Sequence, residues 1–224
     1  MIRIALDGPS GAGKSTLAKA IAKRLSIVYL DTGALYRTVG LFVKEKGTDP
    51  HDAEAVIALL PSLSVDVRIE NNAQHVYLNG KDVKDAIRTP EMSMYASAVS
   101  AIPAVRAFLL ETQRAFARTN SVIMDGRDIG TVIIPDADVK IFLTASDEIR
   151  ARRRLAELRE KGVETTYAET LADIRRRDHN DASRETAPAL PAKDAIIFDN
   201  SFIDMEETVT EAIRIISARK GCDQ

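Results

Sequence analysis

Residues Gly8-Pro9-Ser10-Gly11-Ala12-Gly13-Lys14-Ser15 restrict this chain more than any other stretch. They spell G-x-x-x-x-G-K-S after a short apolar run at 2–6. Behind them, Leu17, Ile21 and Leu25 recur at helical spacing. A strand, a glycine-rich turn and a helix in that order make a cradle for an anion. The glycines let the backbone curl so that successive N–H groups face one phosphate, with the positive end of the helix dipole behind them. Lys14 can then reach the β- and γ-phosphates of a nucleoside triphosphate, and the Ser15 hydroxyl can take a place on Mg²⁺. The alternative is a glycine turn before an ordinary helix. It is disfavoured because the full motif and both flanks agree.

The elements that follow continue the alternation. The first strand is almost wholly apolar, as one covered on both faces should be. A second apolar run at 27–30 ends in Asp31-Thr32-Gly33 and opens a helix carrying Leu35, Val39 and Val43. This β-α-β-α beginning predicts a parallel sheet with right-handed crossovers. The pattern breaks at Gly47-Thr48-Asp49-Pro50, and a helix from about 52 to 60 ends at Pro61. Val65, Val67 and Ile69 then alternate with Asp66, Arg68 and Glu70. Asn71-Asn72 makes a turn, 75–78 reads as a strand, and Asn79-Gly80 is a tight-turn signal. Residues 64–84 are therefore expected to form a small antiparallel meander, and 47–100 an insertion into the core.

Pro103 suits the first turn of a helix whose core stripe is Val105, Phe108, Leu109, Thr112 and Phe116. Strands are expected at 122–125, 139–143 and 195–199. Ser146 can cap a helix running to about Lys161. Thr166-x-x-Glu169 is a capping box for another, and a last helix after Asp204 carries Val209, Ile213 and Ile216.

With 224 residues, 45% of them hydrophobic, the chain can bury a sizeable single core. Its 31 basic and 33 acidic residues nearly cancel, aromatics are 5% and tryptophan is absent, which weighs against a nucleic-acid surface. A single cysteine, Cys222, excludes an intrachain disulfide or a cysteine-rich metal site and is expected to be inert and exposed. His51, His75 and His179 are scattered without ligand spacing. The N-terminus turns polar too early for a signal peptide, and no apolar run approaches a membrane span. A soluble cytoplasmic protein is expected.

Ligands of open α/β sheets collect at the carboxyl ends of the strands. Four such ends carry chemistry: Gly8–Ser15, Asp31–Arg37, Gly126–Asp128 and the segment after Leu143. They are expected to converge on one crevice. Arg37 is placed to grip a second, acceptor phosphate, although the same seven residues also suit an ordinary helix start with an exposed arginine. In Asp125-Gly126-Arg127-Asp128, Asp125 can support Mg²⁺ through water, Arg127 can hold an acceptor phosphate, and Asp128 can accept from an exocyclic amine. The competing reading is an internal Arg–Asp pair closing a loop.

Residues 150–184 hold nine arginines. Interspersed acids make a solvated helical hairpin one reading. The other is a mobile positive flap: Arg152-Arg153-Arg154 cannot all point the same way, and Arg177, Asp181 and Arg184 share a helical face. Asp181 would hold ribose hydroxyls there and the arginines phosphate oxygens. Asn79-Gly80-Lys81-Asp82 superficially suggests a guanine-reading motif, but it has the wrong spacing and sits in a hairpin turn.

Taken together, G-P-S-G-A-G-K-S at 8–15, L-D-T-G-A-L-Y-R at 30–37, D-G-R-D-I-G-T at 125–131 and R-D-H-N-D-A-S-R at 177–184 resemble the bacterial-type cytidylate kinases, over essentially the whole chain. The resemblance implies an α/β fold of the P-loop NTPase type. A five-stranded parallel sheet is flanked by helices, with a nucleoside-monophosphate-binding insertion containing a small antiparallel sheet and an arginine-rich helical lid. It implies one domain over 1–224, with core at 1–46, 101–149 and 185–224, the insertion at 47–100 and the lid at 150–184. It implies transfer of the ATP γ-phosphoryl to CMP or dCMP.

Carried over by position, Gly8, Pro9, Ser10, Gly11, Ala12, Gly13, Lys14, Ser15 and Thr16 bind ATP. Arg37 and Arg127 hold the CMP phosphate with Thr32 and Tyr36 nearby. Ser97, Arg106 and Asp128 recognise cytosine, and Arg177, Asp181 and Arg184 hold sugar and phosphates. Arg150, Arg153 and Arg154 belong to the lid. Lys14, Arg127, Asp128 and Arg184 form the catalytic set, and Mg²⁺ sits on Ser15 directly and on Asp125 through water. The resemblance implies ATP and CMP or dCMP as partners; composition leads one to expect no nucleic acid and no membrane, and a monomer is expected. Two positions depart from some members: Thr32 stands where serine occurs, and His179 and Asn180 stand where charge occurs. Rival readings are a P-loop kinase of another small molecule, such as dephospho-coenzyme A, or a nucleotide-binding switch module.

Overall fold

The computed structural model describes residues 1–70, 73–160 and 162–221. The expected Asn71-Asn72 turn, Lys161 and Cys222 lie outside the described residues. In chain order the elements are β1 (Arg3–Asp7), α1 (Lys14–Leu25), β2 (Val28–Asp31), α2 (Thr32–Glu45) and α3 (Ala53–Leu59). Next come β3 (Val65–Glu70), β4 (Ala73–Leu78), β5 (Lys81–Asp82), α4 (Pro90–Val99) and α5 (Pro103–Thr119). The remainder are β6 (Val122–Gly126), β7 (Val139–Thr144), α6 (Asp147–Glu160), α7 (Tyr167–Ala182), β8 (Ile196–Asp199) and α8 (Met205–Gly221). The larger sheet has five strands in the order β2-β6-β1-β7-β8, and the smaller has three, β3-β4-β5. The expected α/β architecture with a separate antiparallel sheet is the observed one.

The chain divides into two compact units, Met1–Ile27 with the chain from Val122 onward, and Val28–Ser121. In the first, β6, β1, β7 and β8 pair in parallel, with Asp7 opposite Gly126 on one side and Phe142 on the other. Ile4, Leu6, Ile123, Met124 and Leu143 are fully or almost fully buried, which explains strands that read as continuous apolar runs. At roughly 1.5–3 kcal/mol each, such side chains dominate the stabilisation of the sheet. The capping box at Thr166 forms in full: its hydroxyl accepts from Glu169 N–H, and the Glu169 carboxylate accepts from Thr166 N–H.

The second unit has its own core, built from Leu35, Val39 and Phe42 of α2, Val76 and Leu78 of β4, Ile87, Val99, and Val105 and Leu109 of α5. Its two ends meet, since Val28 N–H donates to Ser121 O at 2.9 Å. The antiparallel meander is present, and its hairpin turns at Asn79 (φ 48°) and Gly80 (φ 82°), two left-handed residues in succession as a type I′ turn requires.

Several local expectations need correction. Helix α3 stops at Leu59 and passes into a 3₁₀ turn, Leu60–Ser62, that holds Pro61 rather than ending at it. The buried ladder of α5 is Val105, Leu109, Gln113 and Ala117, while Phe108, Thr112 and Phe116 lie only half-buried beside it. Two polar residues therefore enter that core, each with a carbonyl to bond: Gln113 donates to Leu109 O, and Arg106 to Ser100 O. Helix α4 was not foreseen, because its apolar residues show little periodicity. Nor was the single wide turn Ile129–Ile133, in which Ile134 N–H reaches back five residues to Ile129 O at 2.8 Å.

Candidate active site

In the first unit the chain leaves β1 through Gly8 at φ +148°. A Cβ there would lie 2.0 Å from Leu143 O, so only glycine fits where the loop passes β7. Two buried side chains brace the loop from behind. Arg150 of α6 donates to Ser10 O at 3.0 Å, to Ala145 O at 2.8 Å and to the Asp178 carboxylate of α7 at 2.6 Å. Asn200, after β8, donates to Ala12 O at 3.2 Å and is itself held by Arg153. Arg150 and Arg153, expected in a lid, are thus bonded to the loop's backbone and its support, and Arg154 bonds Glu157 on its own helix.

Lys14 opens α1 and is buried, with Nζ donating to Pro9 O at 2.7 Å. Burial, followed by the nearby Arg127 charge, pulls its pKa down to about 7 against the opposing pull of Asp125, Asp7 and Asp181. Ser15 Oγ donates to Asp125 Oδ2 at 2.7 Å. A hydroxyl and a carboxylate side by side at the start of α1 are hard oxygen donors, the class Mg²⁺ takes, so these residues fit the ion.

Asp181 of α7 joins two of the expected cations. It accepts from Arg127 Nε at 2.9 Å through one oxygen and from Arg184 at 2.5 Å through the other. Burial opposes its charge, but Arg127 and Arg184 outweigh that and hold the carboxyl below its ordinary value. Arg177 is depressed from the usual arginine value by burial and by Arg127. The fold therefore brings Arg127, Arg177, Asp181 and Arg184 together within the first unit. Asp128, buried beside Arg127, leads into the wide turn.

The second unit assembles the other expected residues. Asp31 caps α2 by accepting from Ala34 N–H, and its second oxygen accepts from Arg37 at 2.6 Å and Arg88 at 3.4 Å. Arg37 Nε is buried and makes no hydrogen bond. Thr32 is buried at the first turn of α2, and the Arg106 guanidinium lies 5.4 Å from the Tyr36 ring centroid. Ser97 is half-buried on α4, its carbonyl accepting from Ser100 Oγ.

Sequence reasoning missed Asp7, Gln74, Arg88, Asp178 and Asn200. Gln74 of β4 clamps Asp31 with both ends of its amide, accepting from Asp31 N–H at 2.7 Å and donating to Asp31 O at 3.1 Å. Only Asp178 carried a signal, one helical turn from Asp181. Among the described residues no cluster of His, Cys, Asp or Glu could hold a metal by itself. No single described helix is long and apolar enough to cross a membrane.

A family model described as cytidylate kinase matches residues 4–218. This chain belongs to the cytidylate kinase family. Curated relatives named "Cytidylate kinase" agree along their length. That of Fervidobacterium nodosum is 48% identical over 217 residues, covering 97% of each chain. That of Caldicellulosiruptor bescii is 46% identical over 214 residues, covering 96% of this chain and 95% of the relative. A crystal structure of an uncharacterized protein from Eubacterium ventriosum ATCC 27560 has a TM-score of 0.50 at 13% identity, covering 97% of this chain and 99% of that one, which bears on the fold alone. As a member of its family the chain is a kinase, a transferase that uses ATP.

Proposed function

We propose that this cytidylate kinase family member transfers the γ-phosphoryl group of ATP to CMP and dCMP, giving CDP and dCDP with ADP. The observation that carries the reading is the family match along residues 4–218. The loop at 8–16 binds the donor, with Lys14 neutralising charge on the β- and γ-phosphates. Ser15, and Asp125 through water, would hold Mg²⁺, which would supply further neutralisation of phosphate oxygens. Arg37 and Arg127 hold the acceptor phosphate beside Thr32 and Tyr36, and the buried Arg37 Nε supports that role because it is a donor in want of an acceptor. Ser97, Arg106 and Asp128 read the base. Arg177, Asp181 and Arg184 hold sugar and phosphate oxygens, Asp181 keeping two cations in fixed positions. The reaction needs no covalent intermediate. Alignment and charge neutralisation supply the rate.

The reading includes a nucleoside-monophosphate-binding insertion at 47–100, a lid at 150–184 and core in the remainder. It also includes a monomeric, cytoplasmic enzyme without nucleic-acid or membrane partners. The Asp128 carboxylate accepts from the cytosine amine, a donor uracil lacks, and leaving a buried polar group unpaired is worth powers of ten in discrimination. A coupled assay with ATP against CMP, dCMP, UMP, dTMP, AMP and shikimate tests the whole. CMP and dCMP should exceed the others by at least a hundredfold in kcat/KM, and equal turnover of AMP and CMP sinks the reading.

A further inference from the structure

Asp7 is a buried carboxylate that the phosphoryl-transfer scheme leaves unused. It ends β1, directly before Gly8, and is 4% exposed. Its Oδ1 accepts from Ile129 N–H and its Oδ2 from Gly130 N–H, both at 2.8 Å. Those are the first two amides of the wide turn that follows Arg127-Asp128. Asp128 stands at the N-cap of that turn (φ −142°, ψ 26°), where an aspartate would ordinarily use its own side chain, yet its side chain makes no capping bond. Asp7 supplies the cap from another strand. The sheet register sets Asp7 opposite Gly126. Arg127 and Asp128 are therefore a two-residue bridge pinned at both ends, by the strand pairing at Gly126 and by the Asp7 carboxylate at Ile129 and Gly130. Close packing fixes the far end too, since a Cβ on Gly130 would lie 3.1 Å from Lys140 Cδ and 3.4 Å from Ala5 Cβ.

We infer that Asp7 is a positioning residue for acceptor recognition: by capping Ile129 and Gly130 in place of Asp128, it sets the backbone that presents Arg127 and Asp128 to the nucleotide. The inference rests on the acceptor role given to those two residues above. A carboxylate offers two acceptors to two converging N–H groups, whereas an amide of the same shape offers one acceptor and sets an NH₂ against the other N–H. The capped amides also repay part of the cost of burying Asp7, whose pKa burial still raises to about 6.

The test compares the unmodified enzyme, Asp7→Asn, Asp128→Asn and the double variant in steady-state assays with CMP, UMP and ATP. Asp7→Asn should raise KM for CMP at least tenfold, leave KM for ATP within threefold, and narrow the preference for CMP over UMP. In the Asp128→Asn background the same change should cost KM for CMP less than threefold, because the two act through one contact. Equal losses for both substrates, or additive losses in the double variant, overturn the inference. An unmodified enzyme that fails to phosphorylate CMP overturns the functional reading instead. If Asp7→Asn does not fold, amide hydrogen exchange on the unmodified enzyme decides. Protection of Ile129 and Gly130 that increases at least tenfold with CMP supports the inference, and exchange unaffected by CMP overturns it.

Discussion

Lys14 shows what burial costs a cation meant for a ligand. Burial and the Arg127 charge disfavour its ammonium form while Asp125, Asp7 and Asp181 favour it, and its pKa falls to about 7, burial being the largest cause. A lysine depressed in this way is protonated below the folded value and neutral above it. In the free enzyme the charge is therefore fading where ordinary lysines remain fully charged. In the proposed function, triphosphate bound at Lys14 reverses the balance, because several negative oxygens favour the ammonium form. The expected signature is a KM for ATP that is flat below pH 7 and climbs by roughly tenfold per unit well above it, with kcat for the saturated enzyme nearly constant. Steady-state kinetics from pH 6 to 9 check this, and a KM for ATP that stays flat to pH 9 refutes the role of Lys14 charge in binding.

At the scale of elements, side chains at helix starts do much of the ordering. The Thr166–Glu169 capping box sets where α7 begins, and α7 in turn carries Asp178 to Arg150 and Asp181 to Arg127 and Arg184. Thr166→Ala should cost about 1 kcal/mol, read as a lower urea midpoint with an unchanged slope, and leave KM for ATP unaltered. A loss above about 3 kcal/mol would mean that Thr166 does more than cap. This box was legible from four residues because its chemistry is local, and so were the Asn79-Gly80 turn and the apolar core strands. The unforeseen elements owe their form to distant partners. Helix α4 packs against α2 closely enough that a Cβ on Gly40 would lie 2.8 Å from Tyr95 Cβ, a contact no periodicity announces. The wide turn after Asp128 is capped by Asp7, 122 positions earlier in the chain. For the site the division is the same. Motif residues such as Lys14, Ser15, Arg37 and Asp181 stood out by spacing, while the residues that hold them, Asp7, Gln74, Asp178 and Asn200, look ordinary until the fold supplies their partners. Arg150 is the instructive case: the resemblance assigns it to the lid, and only the fold shows that it is buried and bonds Ser10 and Asp178.

For the molecule as a whole, the second unit is one unbroken stretch whose ends are joined by the Val28–Ser121 hydrogen bond, and it carries its own apolar core. Such a unit can open and close its amides with a free energy of its own, so ligands need not stabilise the whole chain evenly. The donor residues of the proposed function, 8–16, all belong to the first unit. The acceptor residues fall in both, with Arg37, Ser97 and Arg106 in the second and Arg127 and Asp128 in the first. A ligand at about 100 times its Kd stabilises what it binds by roughly 2.7 kcal/mol, close to a hundredfold in the exchange rate of globally protected amides. A non-hydrolysable ATP analogue alone should therefore slow exchange at Leu6, Leu17 and Ile21 and leave Leu35, Val39 and Leu109 within about threefold of their free rates. CMP alone should slow both sets. The asymmetry follows from which residues each ligand is given, and it separates that assignment from simple stabilisation of a single cooperative fold. Equal slowing of both sets by the ATP analogue would mean that the two units unfold together, and no effect of CMP on Leu35 and Val39 would remove Arg37 from the acceptor site.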